Sequence, residues 1–314
     1  MVVLTLPNNP NGETINENQL KKLFQFANEK GIYIFVDMLF DQLSFEEDRN
    51  KRPNPIKIAN ETETLNQLVV VDALSKTQNL AGIRLGWLAT KNTTLERIIN
   101  RISITLLSNP SLTIEPLLQF EALARIIDSQ IPNGDRASIS TLGRKTKTNL
   151  AFERARADLN IMSGTQWLEN IPYWRLNEWY QQRQNWLNET MKYYKDNLTL
   201  IQFILDESQR PITRSPDQAA YNTFIGFGNT EQNAGFDKIL KLFLLTGIVA
   251  MSGQCFGQPN PQSEFWIRIT YGGLSRERIP ETLFRLLGFL NLWDEMELGN
   301  SQKFPKIDTD FKII

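Results

Sequence analysis

Residues 71 to 90 read VDALSKTQNLAGIRLGWLAT, and two cations stand out in them: Lys76, at the mouth of an apolar run, and Arg84, eight residues later. A primary amine at a strand end attacks carbonyl carbon when part of it is neutral, which burial and nearby cations promote. A guanidinium offers a planar fork that suits a phosphate or carboxylate. Three more polar residues occupy comparable places: Asn9 follows the first apolar run, Asp37 ends the second, and Ser75 precedes Lys76 directly. Singly, each has an ordinary explanation. The run Asn9-Pro10-Asn11-Gly12 is a turn signal, an aspartate after a buried strand caps a helix, and a lysine beside a serine is solvated. Their joint placement on successive strand ends is what points to a site.

The elements that must position them can be read from periodicity. VVLTL (2–6) is a β-branched run stopped by PNNPNG. In the next segment Leu20, Leu23, Phe24 and Ala27 fall at helical spacing, with Asn16 to cap and Gly31 to stop. IYIFVD (32–37) and LVVVDALSK (68–76) read as buried strands, and IRLGWLAT (83–90) as a fourth, with Arg84 in the turn leading into it. Strands alternating with helices predict an α/β layer with a mostly parallel sheet, and ligands of such sheets sit beyond the strands' carboxyl ends.

Past Pro110 the spacing predicts helices over IEPLLQFEALARIID and over 175–197, the latter with an aromatic stripe that reads as core or interface. Residues 131–175 stay unassigned, with NGDRASISTLGRKTKTN read as a loop. From LTLIQFIL (198–205) onward, short strands alternate with two helices, a smaller α+β domain. The expected division is 1–197 and 198–314.

Composition removes several classes of chemistry. The 314 residues contain no histidine, which excludes Ser-His-Asp and Cys-His catalysis and the usual zinc sites, so no metal site is expected. Lys and Arg total 34 against 35 Asp and Glu, leaving no basic excess for nucleic acid. The one cysteine, Cys255, reads as a packed small residue rather than a nucleophile. With no signal peptide or membrane span legible, the expectation is a cytoplasmic protein.

The segments LPNNPNGETI, IFVDMLFDQLSF and VDALSKTQNLAGIRLGW together resemble consecutive signatures of the class I/II aminotransferases, the fold-type I pyridoxal-phosphate enzymes. The family pattern runs N-P-x-N-P-T-G, D-E-x-Y, then S-x-S-K-x-x-x-x-x-G-x-R-x-G, in this order. FWIRITYGGLSRE (265–277) resembles the family's small-domain strand with its substrate-binding arginine. The resemblance implies a partial fold-type I architecture and pyridoxal 5′-phosphate as cofactor. Lys76 would then be catalytic, forming the Schiff base and moving a proton. Asn9, Asp37, Ser75 and Arg84 would bind cofactor, and Asn9 and Arg268 substrate. Asp37 would pair with the pyridine nitrogen and Arg84 with the phosphate.

The chain departs from the family in two ways. Phe40 stands where the family has tyrosine and Ala73 where it has a phosphate-binding serine. Each change removes a hydrogen bond to an anionic oxygen, worth about 1.5–3 kcal/mol. The asparagine motif also begins at residue 7, whereas in the family it lies mid-chain, so the phosphate-cradling glycine turn and ring-stacking aromatic have no counterpart here. An exposed strand edge and apolar surface are therefore expected, met by a partner chain, by aggregation, or by a reading frame that starts upstream.

Three functions remain open at this point. One is an aminotransferase moving an amino group between an amino acid and a 2-oxo acid, as a homodimer without membrane or nucleic-acid partner. Another is a pyridoxal-phosphate carbon–sulfur β-lyase, which the wording SKTQNLAG also resembles. The third is an impaired remnant or binding subunit of the same family.

Overall fold

The computed structural model describes residues 1–46, 52–105, 115–130, 153–157, 166–228, 235–257 and 264–297. The loop expected within 131–175 lies outside them. The chain divides into two compact units: the first comprises 1–9, 13–192 and 218–220, and the second comprises 10–12, 193–217 and the residues from Tyr221 on.

In the first unit, β1 (Val2–Thr5), β2 (Ile34–Asp37), β3 (Leu68–Ala73) and β4 (Gly86–Thr90) form one sheet in that spatial order. The first three are parallel, with Thr5, Asp37 and Val71 level with one another. β4 runs antiparallel, pairing Ala73 with Gly86, so the sheet is mixed. Two expectations are thereby shortened. The strand read over 68–76 stops at Ala73, and the one read over 83–90 begins at Gly86.

Helix α1 (Glu17–Lys30) has a complete capping box, in which the Asn16 side chain accepts from Gln19 N and the Gln19 side chain returns to Asn16 N. Gly31 ends it at φ 62°, a left-handed value that glycine adopts without a Cβ clash. Its apolar stripe, Leu20, Phe24 and Ala27, packs with α2 (Pro55–Glu61) against Ile34, Val36, Leu68 and Val70. A short helical turn α3 (Leu74–Thr77) and the helices α4 (Thr93–Thr105) and α5 (Glu115–Gln130) follow. A second core joins α5 to the next helix through Leu123, Ala124, Ile127, Leu176 and Tyr180.

That next helix, α6 (Tyr173–Glu207), is 35 residues long and passes from the first unit into the second after Lys192. LTLIQFIL is therefore helical, not the strand that its apolar content predicts. Leu198, Ile201, Ile204 and Leu205 are buried at helical intervals, and no Gly or Pro intervenes to break the preceding turns. The aromatic stripe is split: Tyr180 is buried, whereas Trp174 is 63% exposed.

The second unit has an antiparallel sheet in the order β5 (Ile212–Arg214), β6 (Asn222–Gly228), β8 (Glu264–Thr270), β7 (Met251–Ser252). Helices α7 (Gly235–Thr246) and α8 (Arg278–Glu297) match the two expected there. Among the described residues no helix is long and apolar enough to cross a membrane.

The expected exposed surface is present. β1 and β4 are the outer strands of the first sheet, Val3 is 63% exposed, and Ile98 and Ile102 on α4 are about half exposed.

Candidate functional site

Parallel pairing sets the ends of β2 and β3 side by side, and the polar residues follow from it. Asp37 is the last residue of β2, and Met38 N donates to Val71 O at 2.9 Å, which locks this strand end to its neighbour. The Asp37 carboxylate accepts from Leu39 N at 3.0 Å. Burial pushes this half-buried carboxyl up, whereas the Leu39 N–H and the nearby Lys76 ammonium pull it down. Burial prevails. Lys76 and Asp37 thus share one electrostatic environment.

Lys76 and Ser75 lie in α3, directly beyond β3, and both are half-buried. The loop from Leu74 to Leu85 closes on itself. Leu74 N donates to Leu85 O at 3.2 Å, and Gln78 N and Leu80 N both donate to Leu74 O. Its closing strand begins at Gly86, where an added Cβ would meet Asp72 O at 3.1 Å and Ala73 Cβ at 3.3 Å. A side chain there would press on β3, so the close return of the two strands favours glycine.

Arg84 sits just inside that closure at φ 58°, a left-handed conformation that costs a non-glycine residue on the order of 1 kcal/mol. Its side chain is exposed, and Nη1 donates to Ala81 O at 3.5 Å. Asn9 is half-buried, in a turn closed by Asn8 N donating to Glu13 O at 2.8 Å.

Phe40 is buried at the start of a single 3-10 turn, Asp41–Leu43. A cavity of about 470 Å³ borders these loops on residues that include Pro7, Met38, Asp41 and Arg52, and none of the six expected site residues lines it.

Arg268 belongs to the second unit, on β8, level with Phe224 and Met251. Its guanidinium stacks over the Phe256 ring at 5.2 Å and Nη2 lies 2.9 Å from Met251 Sδ. Burial holds its pKa below the usual arginine range, opposed by Tyr221 and Cys255. The packing expected of Cys255 does not hold, because the side chain is exposed in the turn Gly253–Phe256.

Sequence reasoning missed a buried ionic cluster beneath the Lys76 loop. Asp72, 4% exposed, pairs with Arg125, whose guanidinium also covers the Trp87 ring at 5.0 Å. Burial outweighs Arg125 and pushes the Asp72 carboxyl up to about 6. Glu121, 3% exposed, accepts from Arg125 Nε at 3.0 Å and from Arg183 Nη2 and Nε at 2.6 and 2.8 Å. Arg183 also donates to Asp128, which accepts from the Tyr180 hydroxyl. The only sequence signal was charged residues on the apolar faces of α5 and α6, where lone charges are almost never fully buried.

The family described as aminotransferase class I and II matches residues 1–129. A Pseudomonas syringae L-aspartate:5-guanidino-3-methyl-2-oxopentanoate transaminase is 27% identical over 104 residues, covering 33% of this chain and 26% of the relative. An aspartate aminotransferase of Thermococcus kodakarensis is 26% identical over 110 residues, 35% of this chain and 28% of the relative. Among solved structures, an aromatic aminotransferase from Pyrococcus horikoshii aligns with a TM-score of 0.59 at 17% identity, covering 92% of this chain and 59% of its own. An aspartate aminotransferase from Thermotoga maritima gives 0.57 at 15%, with 92% and 56% covered. The chain therefore has the aminotransferase fold over somewhat more than half of those structures' length, and its residues 1–129 match the class I and II aminotransferase family.

Proposed function

We propose that the chain is the catalytic portion of a pyridoxal-phosphate-dependent aminotransferase, moving an amino group between an amino acid and a 2-oxo acid. The observation that carries this reading is the placement of Asp37 at the end of β2 and Lys76 just past the end of its parallel neighbour β3. An amine and a carboxylate at adjacent strand ends are the groups that the cofactor's aldehyde and pyridine nitrogen would require. When bound, pyridoxal phosphate supplies an aldehyde and a ring that accepts the electrons left when a proton departs from the amino-acid Cα.

The chain's own residues have distinct tasks in this reading. The Lys76 amine would hold the cofactor at its aldehyde end and would move the proton to and from the amino-acid Cα. Asp37 accepts the pyridinium N–H and keeps that nitrogen charged. Arg84, exposed on the closed loop, pairs with the phosphate, and Ser75 adds a hydroxyl contact. Asn9 donates to the ring's phenolic oxygen. Arg268 grips the substrate carboxylate, and its stacking on Phe256 holds the fork flat for two-point contact.

The partner in this reading is a second copy of the chain. The outer strands β1 and β4 and the half-exposed Ile98 and Ile102 offer surface that a homodimer or a complementing polypeptide would cover. A second reading keeps the cofactor but needs that polypeptide for turnover. It is favoured by the 56–59% of the solved structures that the chain spans.

Adding pyridoxal phosphate, reducing with borohydride and mapping peptides by mass tests both. Modification of Lys76 is expected. A folded chain in which the Lys76 peptide stays unmodified sinks them together.

A further inference from the structure

We propose that Glu121 is a positioning residue, a single buried carboxylate that fixes the Asp37 and Lys76 segments relative to each other. Its consequence for cofactor rests on the functional reading above, but the anchoring itself does not.

The geometry is specific. Gln78, two residues beyond Lys76, donates from Nε2 to Glu121 Oε2 at 3.1 Å. Gln42, five residues beyond Asp37, donates from Nε2 to Glu121 Oε1 at 3.3 Å. Both loops are thereby tied to one side chain on α5, and that side chain is immobilised by Arg125 and Arg183 from either side. Gln42 is doubly held, because its Oε1 accepts from Arg183 Nη2 at 2.8 Å.

Core packing alone would not need a carboxylate here. Buried ion pairs are often matched in stability by apolar groups of the same volume, whereas charged hydrogen bonds in fixed directions specify where their partners sit. Catalytic groups lose function when displaced by as little as about 1 Å, so an anchor common to both loops sets the distance that matters.

Three variants separate the contacts. Gln78→Ala releases the Lys76 loop and Gln42→Ala the Asp37 loop, each leaving Glu121 between its two arginines. Glu121→Gln loosens both. In the cofactor-free chain, backbone hydrogen exchange is expected to rise over 74–85 in Gln78→Ala, over 38–46 in Gln42→Ala, and over both segments in Glu121→Gln. Exchange elsewhere in the first unit should be unchanged in the two glutamine variants. Unchanged exchange in these segments, or a uniform rise across the unit, overturns the anchoring.

A cofactor titration followed by absorbance then addresses the consequence. Gln78→Ala should weaken binding of pyridoxal phosphate by up to about tenfold, the worth of the one charged hydrogen bond lost from the loop. Binding as tight as in the unsubstituted chain would limit Glu121 to a structural role. If the unsubstituted chain binds no cofactor yet shows the exchange pattern, the functional reading fails and the anchoring stands.

Discussion

The Asp37 carboxylate and the Lys76 ammonium, 39 positions apart in the chain, lie in one field beyond the paired ends of β2 and β3. Their relation follows from the parallel register that sets Asp37 level with Val71, and from the turn after Ala73 that carries the amine forward. Burial raises the carboxyl, and the Leu39 N–H and the Lys76 ammonium pull it back.

Asp37→Asn leaves an amide of the same size in place and removes the charge. Cofactor affinity should fall by about 10- to 100-fold, the worth of a charge-assisted hydrogen bond, while Asp37→Glu loses less. Absorbance titration of the three proteins decides it. Equal affinities would remove Asp37 from the site.

Arg84 combines a left-handed backbone with an exposed guanidinium. Arg84→Gly relieves a left-handed residue, so the thermal midpoint should hold or rise slightly, offset in part by greater chain entropy in the unfolded state. Cofactor affinity should nonetheless drop at least about tenfold if the guanidinium holds the phosphate. A midpoint several degrees lower would show that this conformation carries no strain.

Gly86→Ala places a methyl against Asp72 O and Ala73 Cβ where the loop closes. Backbone must shift to admit it, at a cost of about 1–3 kcal/mol. Urea unfolding measures that directly, and a neutral result would mean that β3 and β4 separate freely at this end.

Asp72 predicts a pH dependence of stability. Its carboxyl moves from the ordinary 3.8 up to about 6 on folding, so between those values the folded chain binds more protons than the unfolded one. Its contribution therefore falls as pH rises from about 4 to about 6, by up to about 3 kcal/mol, and is level above and below that window. Asp72→Asn removes the titration. The stability difference between the unsubstituted chain and this variant, followed by urea unfolding, should decline across the window. A difference that stays flat removes Asp72 as the titrating group.

The sequence by itself located the four strands of the first unit to within a few residues, because β-branched runs bounded by Asn, Pro and Gly leave little choice of backbone. It set the ends of α1 through Asn16 and Gly31, and put Asn9, Asp37, Ser75, Lys76 and Arg84 at or next to strand ends. These are local signals, carried by neighbours within a few residues. Tertiary structure decided what depends on distant residues: the antiparallel turn of β4, the helical state of 198–205, the exposure of Cys255, and the union of Gln42, Gln78, Glu121 and Arg183. Burying Gln42, Glu121 and Arg183 becomes favourable only when each finds its partner, and no spacing along the chain records a partner that arrives from 141 residues away.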